Sequence, residues 1–145
     1  MIVALIAFIL SGLKNAQFAQ SQSKATKLAQ ETMEQIKTIR DRDESVSFSP
    51  TAASKFSDLW SINMSQLCAP TGYSSGPCYF VDPLLTGNSA VSNVSTTLDN
   101  QFTRQILIED NTATYATEKK LTVKVKWIDS SGDHESNIQT ILTKI

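Results

Sequence analysis

Two cysteines, one histidine and a few clustered carboxylates are the side chains in this sequence whose chemistry could reach beyond packing. Cys68 and Cys78 are separated by nine residues that include Pro70, Gly72, Gly76 and Pro77, so turns can bring the two sulfurs together. A structural disulfide and a pair of free thiols are both open to them. Zinc is not, because two sulfurs and one imidazole do not complete a four-ligand site. His134 stands beside a turn between Asp133 and Glu135, with no Ser or Cys nucleophile signalling a partnered site, and reads as an exposed turn residue. Asp129, Asp133 and Glu135 offer oxygens to Ca²⁺, but their spacing departs from an EF-hand loop and favours a solvated turn. Asn63-Met-Ser65 and Asn93-Val-Ser95 match the N-glycosylation acceptor pattern, which is short enough to arise by chance. No Gly-rich phosphate loop and no paired catalytic motif occurs, so the sequence reads as no enzyme and calls for no cofactor or metal.

The elements that carry these residues begin with an uninterrupted apolar stretch, Met1 to Leu10. Helix breakers are absent from Leu13 to Ser49, which predicts one helix of roughly 40 residues, about 60 Å long, with a polar end at Arg40-Asp41-Arg42. The apolar part spans about 20 Å as helix, short of the roughly 20 residues that cross a bilayer core. Three readings compete for it. A secretory signal peptide needs a basic leader and a small-x-small cleavage site, and Ala16-Gln17-Phe18-Ala19 is a poor one. A buried core helix is disfavoured because Ile2, Val3, Leu5, Ile6, Phe8, Ile9, Leu10 and Leu13 leave no polar face for a small domain to expose. A membrane-inserted or helix-bundled anchor fits best.

Beyond Leu13 the pattern narrows to a stripe. Phe18, Ala25, Leu28, Ala29, Thr32, Ile36 and Ile39 recur at three- and four-residue steps, with Lys14, Gln17, Gln20, Lys24, Lys27, Gln30, Glu34 and Lys37 on the other faces. Such a half-helix docks on something. Ser45 to Ala53 reads as loop, with Pro50 to stop the helix; Ser54 to Gln66 holds room for one short helix; Tyr79-Phe80-Val81 is a short strand; Leu84 to Asn100 is polar and reads as exposed loop. Phe102 to Ile108 alternates, with Arg104 falling on the apolar side. Leu121, Val123, Val125 and Trp127 alternate with Thr122, Lys124 and Lys126. After the turn Asp129-Ser-Ser-Gly-Asp133, Ser136 to Lys144 returns as the second arm of a hairpin.

The fold class that follows is α+β. A long N-terminal helix, apolar first and amphipathic second, packs through Leu28, Ile36 and Ile39 against Val123, Val125 and Trp127 of a small C-terminal antiparallel sheet. With 13 basic and 14 acidic side chains in 145 residues, there is room for one modest domain and no overall electrostatic case for nucleic acid. Lys119, Lys120, Lys124 and Lys126 remain as a local strip that could face DNA or a negatively charged cell surface, although lysines that merely solubilise a strand are the plainer reading.

These residues resemble a known family. The stretch Ala25-Thr-Lys-Leu-Ala-Gln-Glu31, leading to Ile36-Lys-Thr-Ile-Arg-Asp41, is similar to the helix of bacterial type IV pilin-like proteins, minor pilins especially. Phe102-Thr-Arg-Gln-Ile-Leu-Ile108, Val123-Lys-Val-Lys-Trp-Ile-Asp129-Ser-Ser-Gly132 and Ile141-Leu-Thr143 resemble the closing strands of the same group. The likeness covers both ends of the chain and leaves out its middle. It departs from the family's pattern in having no basic leader ending in Gly and no early glutamate, so the expectation is that Met1 lies about six residues inside the mature apolar helix. No residue here inherits that glutamate's docking role.

The resemblance implies a subunit held in the inner membrane before assembly and in an extracellular pilus filament afterwards. Residues 1–24 would be the membrane and filament-core helix with its exit, and 25–145 the globular domain. Its implied partners are other pilin subunits and the inner-membrane assembly machinery, with adhesion, twitching motility or DNA uptake as the service. Export through an oxidising compartment favours a Cys68–Cys78 disulfide, worth about 2 to 3 kcal/mol in the chain-entropy view. A type II secretion pseudopilin and a membrane-anchored monomeric binding module are the alternatives.

Overall fold

The computed structural model describes residues 2–49, 55–64, 78–81, 96–98, 101–111 and 116–145. Helix α1 runs from Ile2 to Asp41 without a break, 40 residues and about 60 Å at 1.5 Å per residue. Proline is absent from it and glycine occurs once, at Gly12, so nothing interrupts its hydrogen-bond ladder. It stops well before Pro50, contrary to the role given that proline. The stop is a Schellman motif: Asp43 takes a positive φ of 51°, its N–H donates to the Arg40 carbonyl, and the Glu44 N–H donates to the Ile39 carbonyl, both at 3.1 Å. Aspartate tolerates this left-handed position better than most residues.

Asp43 also begins the next element. Its carboxylate accepts the Ser57 N–H at 2.7 Å and the Ser57 hydroxyl at 3.1 Å, while the Phe56 N–H donates to the Glu44 carbonyl. A 3₁₀ helix, Phe56–Ser61, is thereby held against the end of α1 and buries Phe56, Leu59 and Trp60. This is the short helix expected between Ser54 and Gln66.

Among the described residues six strands form one antiparallel sheet: β1 Ser47–Ser49, β2 Cys78–Val81, β3 Thr96–Leu98, β4 Phe102–Asp110, β5 Glu118–Asp129 and β6 Gly132–Thr143. Their order is β1-β2-β4-β5-β6, and β3 pairs with β4 beside Phe102–Arg104, on the edge of β4 that β2 occupies further along. The loop expected across Leu84 to Asn100 is therefore corrected at Thr96–Leu98, where consecutive threonines suit a short edge strand. The last hairpin closes through the two-residue turn Ser130-Ser131, with Asp129 opposite Gly132. Gly132 has φ +125°, a region that side chains resist.

Helix α1 lies on one face of β5 and β6. Between them sits the core: Ala25, Ala29, Met33, Ile36 and Ile39 from the helix, with Ile106, Ile108, Leu121, Val123, Val125 and Trp127 from the sheet. Alanine at two of the helix positions lets the backbone come close to the strands. An α+β architecture with a long N-terminal helix against an antiparallel sheet is what the structure shows.

Candidate functional site

Two surfaces of α1 differ in what they touch. From Ala25 onward its inner stripe is buried, whereas Leu5, Ile6, Phe8, Ile9, Leu10 and Leu13 are all more than half exposed, Phe8 at 81 %. Ile2 and Val3 are described only as helix backbone. Scattered apolar side chains on a surface need no explanation, but six large ones within nine residues form a continuous oily rod. Among the described residues nothing in the sheet covers it. Among the described residues no helix is long and apolar enough to cross a membrane.

Beyond the rod, α1 is tied to the sheet by contacts that the tertiary fold assembles. Phe18 packs edge-on against His134 at 4.9 Å between ring centroids, and His134 stacks on Trp127 at 5.3 Å. The His134 Nε2 lies 2.9 Å from an Asp129 carboxylate oxygen, which accepts its proton. His134 is thus half-buried between helix and hairpin, and the exposed-turn expectation is corrected: it occupies β6 and meets Phe18 of α1, a partner far away in sequence. Six residues further along the helix comes the Lys24 ammonium, 5.3 Å above the Phe102 ring. The Thr26 hydroxyl next meets the Ser136 hydroxyl at 3.2 Å.

Deeper in, Arg104 donates through Nη1 to the Thr32 hydroxyl at 2.8 Å, and that hydroxyl donates to the Leu28 carbonyl. Arg104 is buried, and burial lowers its pKa from the ordinary arginine value, although a guanidinium stays charged throughout the useful range. Its place on the apolar side of β4 is explained by this bond, which ties sheet to helix.

The lysine strip is corrected in part. Lys119 shares the parity of Leu121 and Val123, so its side chain enters the core and is fully buried. Its ammonium meets an Asp110 oxygen at 2.6 Å and the Ile62 carbonyl at 2.7 Å, linking β4, β5 and the segment after the 3₁₀ helix. Lys120, Lys124 and Lys126 do lie on the outer face, but Lys120 faces Glu109 at 2.7 Å, while Lys124 and Lys126 share Glu135 at 3.8 and 3.7 Å. Three cations beside two carboxylates make a weak lure for a polyanion.

Of the residues expected to dock helix on sheet, Ile36, Ile39, Val123, Val125 and Trp127 are buried, and Leu28 is half-buried against them. Met33, Arg104, Lys119 and His134 also belong to this junction. The parity of Lys119 and Arg104 along their strands, and the spacing of Met33 between Ala29 and Ile36 on the helix, signalled it in sequence. Cys68 lies outside the described residues and Cys78 is described as backbone of β2, so their pairing also lies outside them. Among the described residues no cluster of His, Cys, Asp or Glu could hold a metal ion.

Among the described residues, Asp129 is the carboxylate with a strongly displaced pKa. The Ser131 hydroxyl first, then His134 and the Ser131 N–H, hold it down at about 2. These bonds set the hairpin turn and offer no proton near neutrality, so the group is a structural one. Comparison with family models, with curated proteins and with solved structures gave no match.

Proposed function

We propose that this chain is a structural subunit of a type IV pilus-like filament, a pilin or minor pilin. The carrying observation is the oily rod Leu5–Leu13, exposed at one end of a helix whose other half is fixed to a folded domain. A surface of that kind is stable only in lipid or among other apolar helices, and a filament core supplies the second after a membrane has supplied the first. Its apolar surface then passes from one to the other without meeting water. Partners on this reading are further subunits and the inner-membrane assembly machinery. The location is the inner membrane before assembly and the extracellular filament after it. The role is structural and not catalytic, with adhesion, motility or DNA uptake as its service.

Replacing Phe8 by Asp tests this. Phe8 touches none of the domain core, so the domain should keep its folding free energy within about 0.5 kcal/mol. An unpaired carboxylate in a helical core costs several kcal/mol, and surface filaments should disappear. Filaments of normal number and length from that variant would refute the reading. Labelled protein found only as isolated membrane-bound monomers would favour the anchored binding module, and short periplasmic fibres would favour the pseudopilin.

The same reading carries the Cys68–Cys78 disulfide. Alkylation after reduction should add two groups to the intact mass, and alkylation before it none; labelling without reductant would remove the bond from the proposal.

A further inference from the structure

Strand β6 ends the sheet, and among the described residues it pairs with β5 alone. Which of its backbone groups face outward follows from the register. The Lys144 N–H donates to the Thr117 carbonyl at 2.9 Å, and the same pairing continues through Leu121↔Thr140, Val123↔Ile138, Val125↔Ser136 and Trp127↔His134 to Asp129↔Gly132. Hydrogen-bonded and non-hydrogen-bonded pairs alternate along an antiparallel ladder. The even-numbered residues of β6 therefore bond to β5, and the odd-numbered ones from Asp133 to Thr143 direct N–H and C=O away from the sheet.

Edge strands are ordinarily guarded by shortness, a proline, a bulge or lysines. β6 is 12 residues long and pairs without a bulge, and Ser136–Thr143 contains no charged residue and no proline. Its charges sit at the two ends, Asp133 and Glu135 before this run and Lys144 after it.

We propose that this edge takes up an extended segment of a different protein as an added strand. Backbone hydrogen bonds would supply affinity, and side chains would supply selection. The segment would be uncharged and rich in β-branched residues along Ser136–Thr143, with a basic side chain beside Asp133, since Glu135 already faces Lys124 and Lys126. A second copy of β6 fits less well. Phe18 meets His134 and Thr26 meets Ser136, so α1 and β6 run in the same direction. Antiparallel pairing of two β6 strands would then aim the two oily helix ends in opposite directions, which subunits sharing one membrane or filament cannot adopt; this step rests on the filament reading. Parallel in-register pairing would set Asp133 beside its own counterpart, like charge against like.

The test is selection of random twelve-residue peptides displayed on phage against the full chain in detergent, followed by synthesis of the enriched sequences. These should alternate β-branched residues and carry a basic residue near one end. Bound peptide should slow amide exchange at Asn137, Gln139, Ile141 and Thr143 by roughly tenfold or more, with little change at Ile138 and Thr140. Gln139→Pro removes an N–H that β5 does not use and should weaken binding at least about tenfold. Peptides N-methylated on alternate amides give the same answer without altering the protein: one alternating set should lose binding and the other keep it. Failure to enrich any peptide, equal binding of both methylated sets, or protection elsewhere would overturn the proposal. So would concentration-dependent protection of the same amides without peptide, which would make a second copy the occupant. Peptide binding is read on unassembled protein, so its failure is separable from failure of the filament reading.

Discussion

Removing the carboxylate of Asp110 should damage this domain more than removing both members of its ion pair. The Lys119 side chain is fully buried, that of Asp110 is 7 % exposed, and their charged atoms are 2.6 Å apart. Asp110→Ala leaves an ammonium in the core without its counter-charge, a loss of about 3 to 5 kcal/mol. Against a typical folding free energy of roughly 5 to 15 kcal/mol, that is a large share. Asp110→Leu combined with Lys119→Met removes both charges and keeps most of the volume, so the double variant should lie within about 1 kcal/mol of the parent. Urea unfolding in mild detergent, followed by fluorescence, is a suitable assay because Trp60 and Trp127 are both buried in the domain. The reasoning is refuted if Asp110→Ala loses less than about 1 kcal/mol, or if the double variant is as unstable as the single one.

Two further outcomes are expected. Thr32→Val keeps the shape of a buried side chain but deletes the hydroxyl that accepts from Arg104, and should cost about 1 to 3 kcal/mol in the same assay, while Thr32→Ser should recover most of it; equal stability of Val and Thr would mean that the bond contributes nothing. Asp129 has a folded-state pKa of about 2, below the ordinary carboxylate value near 4, so its contribution is complete above about pH 4 and is lost as pH falls through about 2. Carbon-detected NMR titration should place it there, and Ser131→Ala should raise it; a carboxyl titrating near pH 4 in the parent would contradict the assigned hydrogen bonds.

The local half of this protein was readable from sequence for a physical reason: helix and strand periods are short, and each residue's parity within them is a local property. The long α1, the alternation of β4 and β5 and the last hairpin all follow from spacing between near neighbours. Strand parity even placed Arg104 on the inner side before any partner for it was known.

What tertiary structure alone decided is where those inner polar groups find their complements. The Thr32 acceptor for Arg104 lies 72 positions away in the chain, and the Phe18 ring against His134 is farther still. Lys119 is a core residue because Asp110 and the Ile62 carbonyl converge on it; without them its charge would have excluded it from the interior. The termination of α1 likewise belongs to a left-handed Asp43 that docks the 3₁₀ helix, and not to the proline that composition suggested. Periodicity tells which way a side chain faces; only the folded chain supplies the group that makes a buried charge, a half-buried imidazole or a helix stop affordable in free energy.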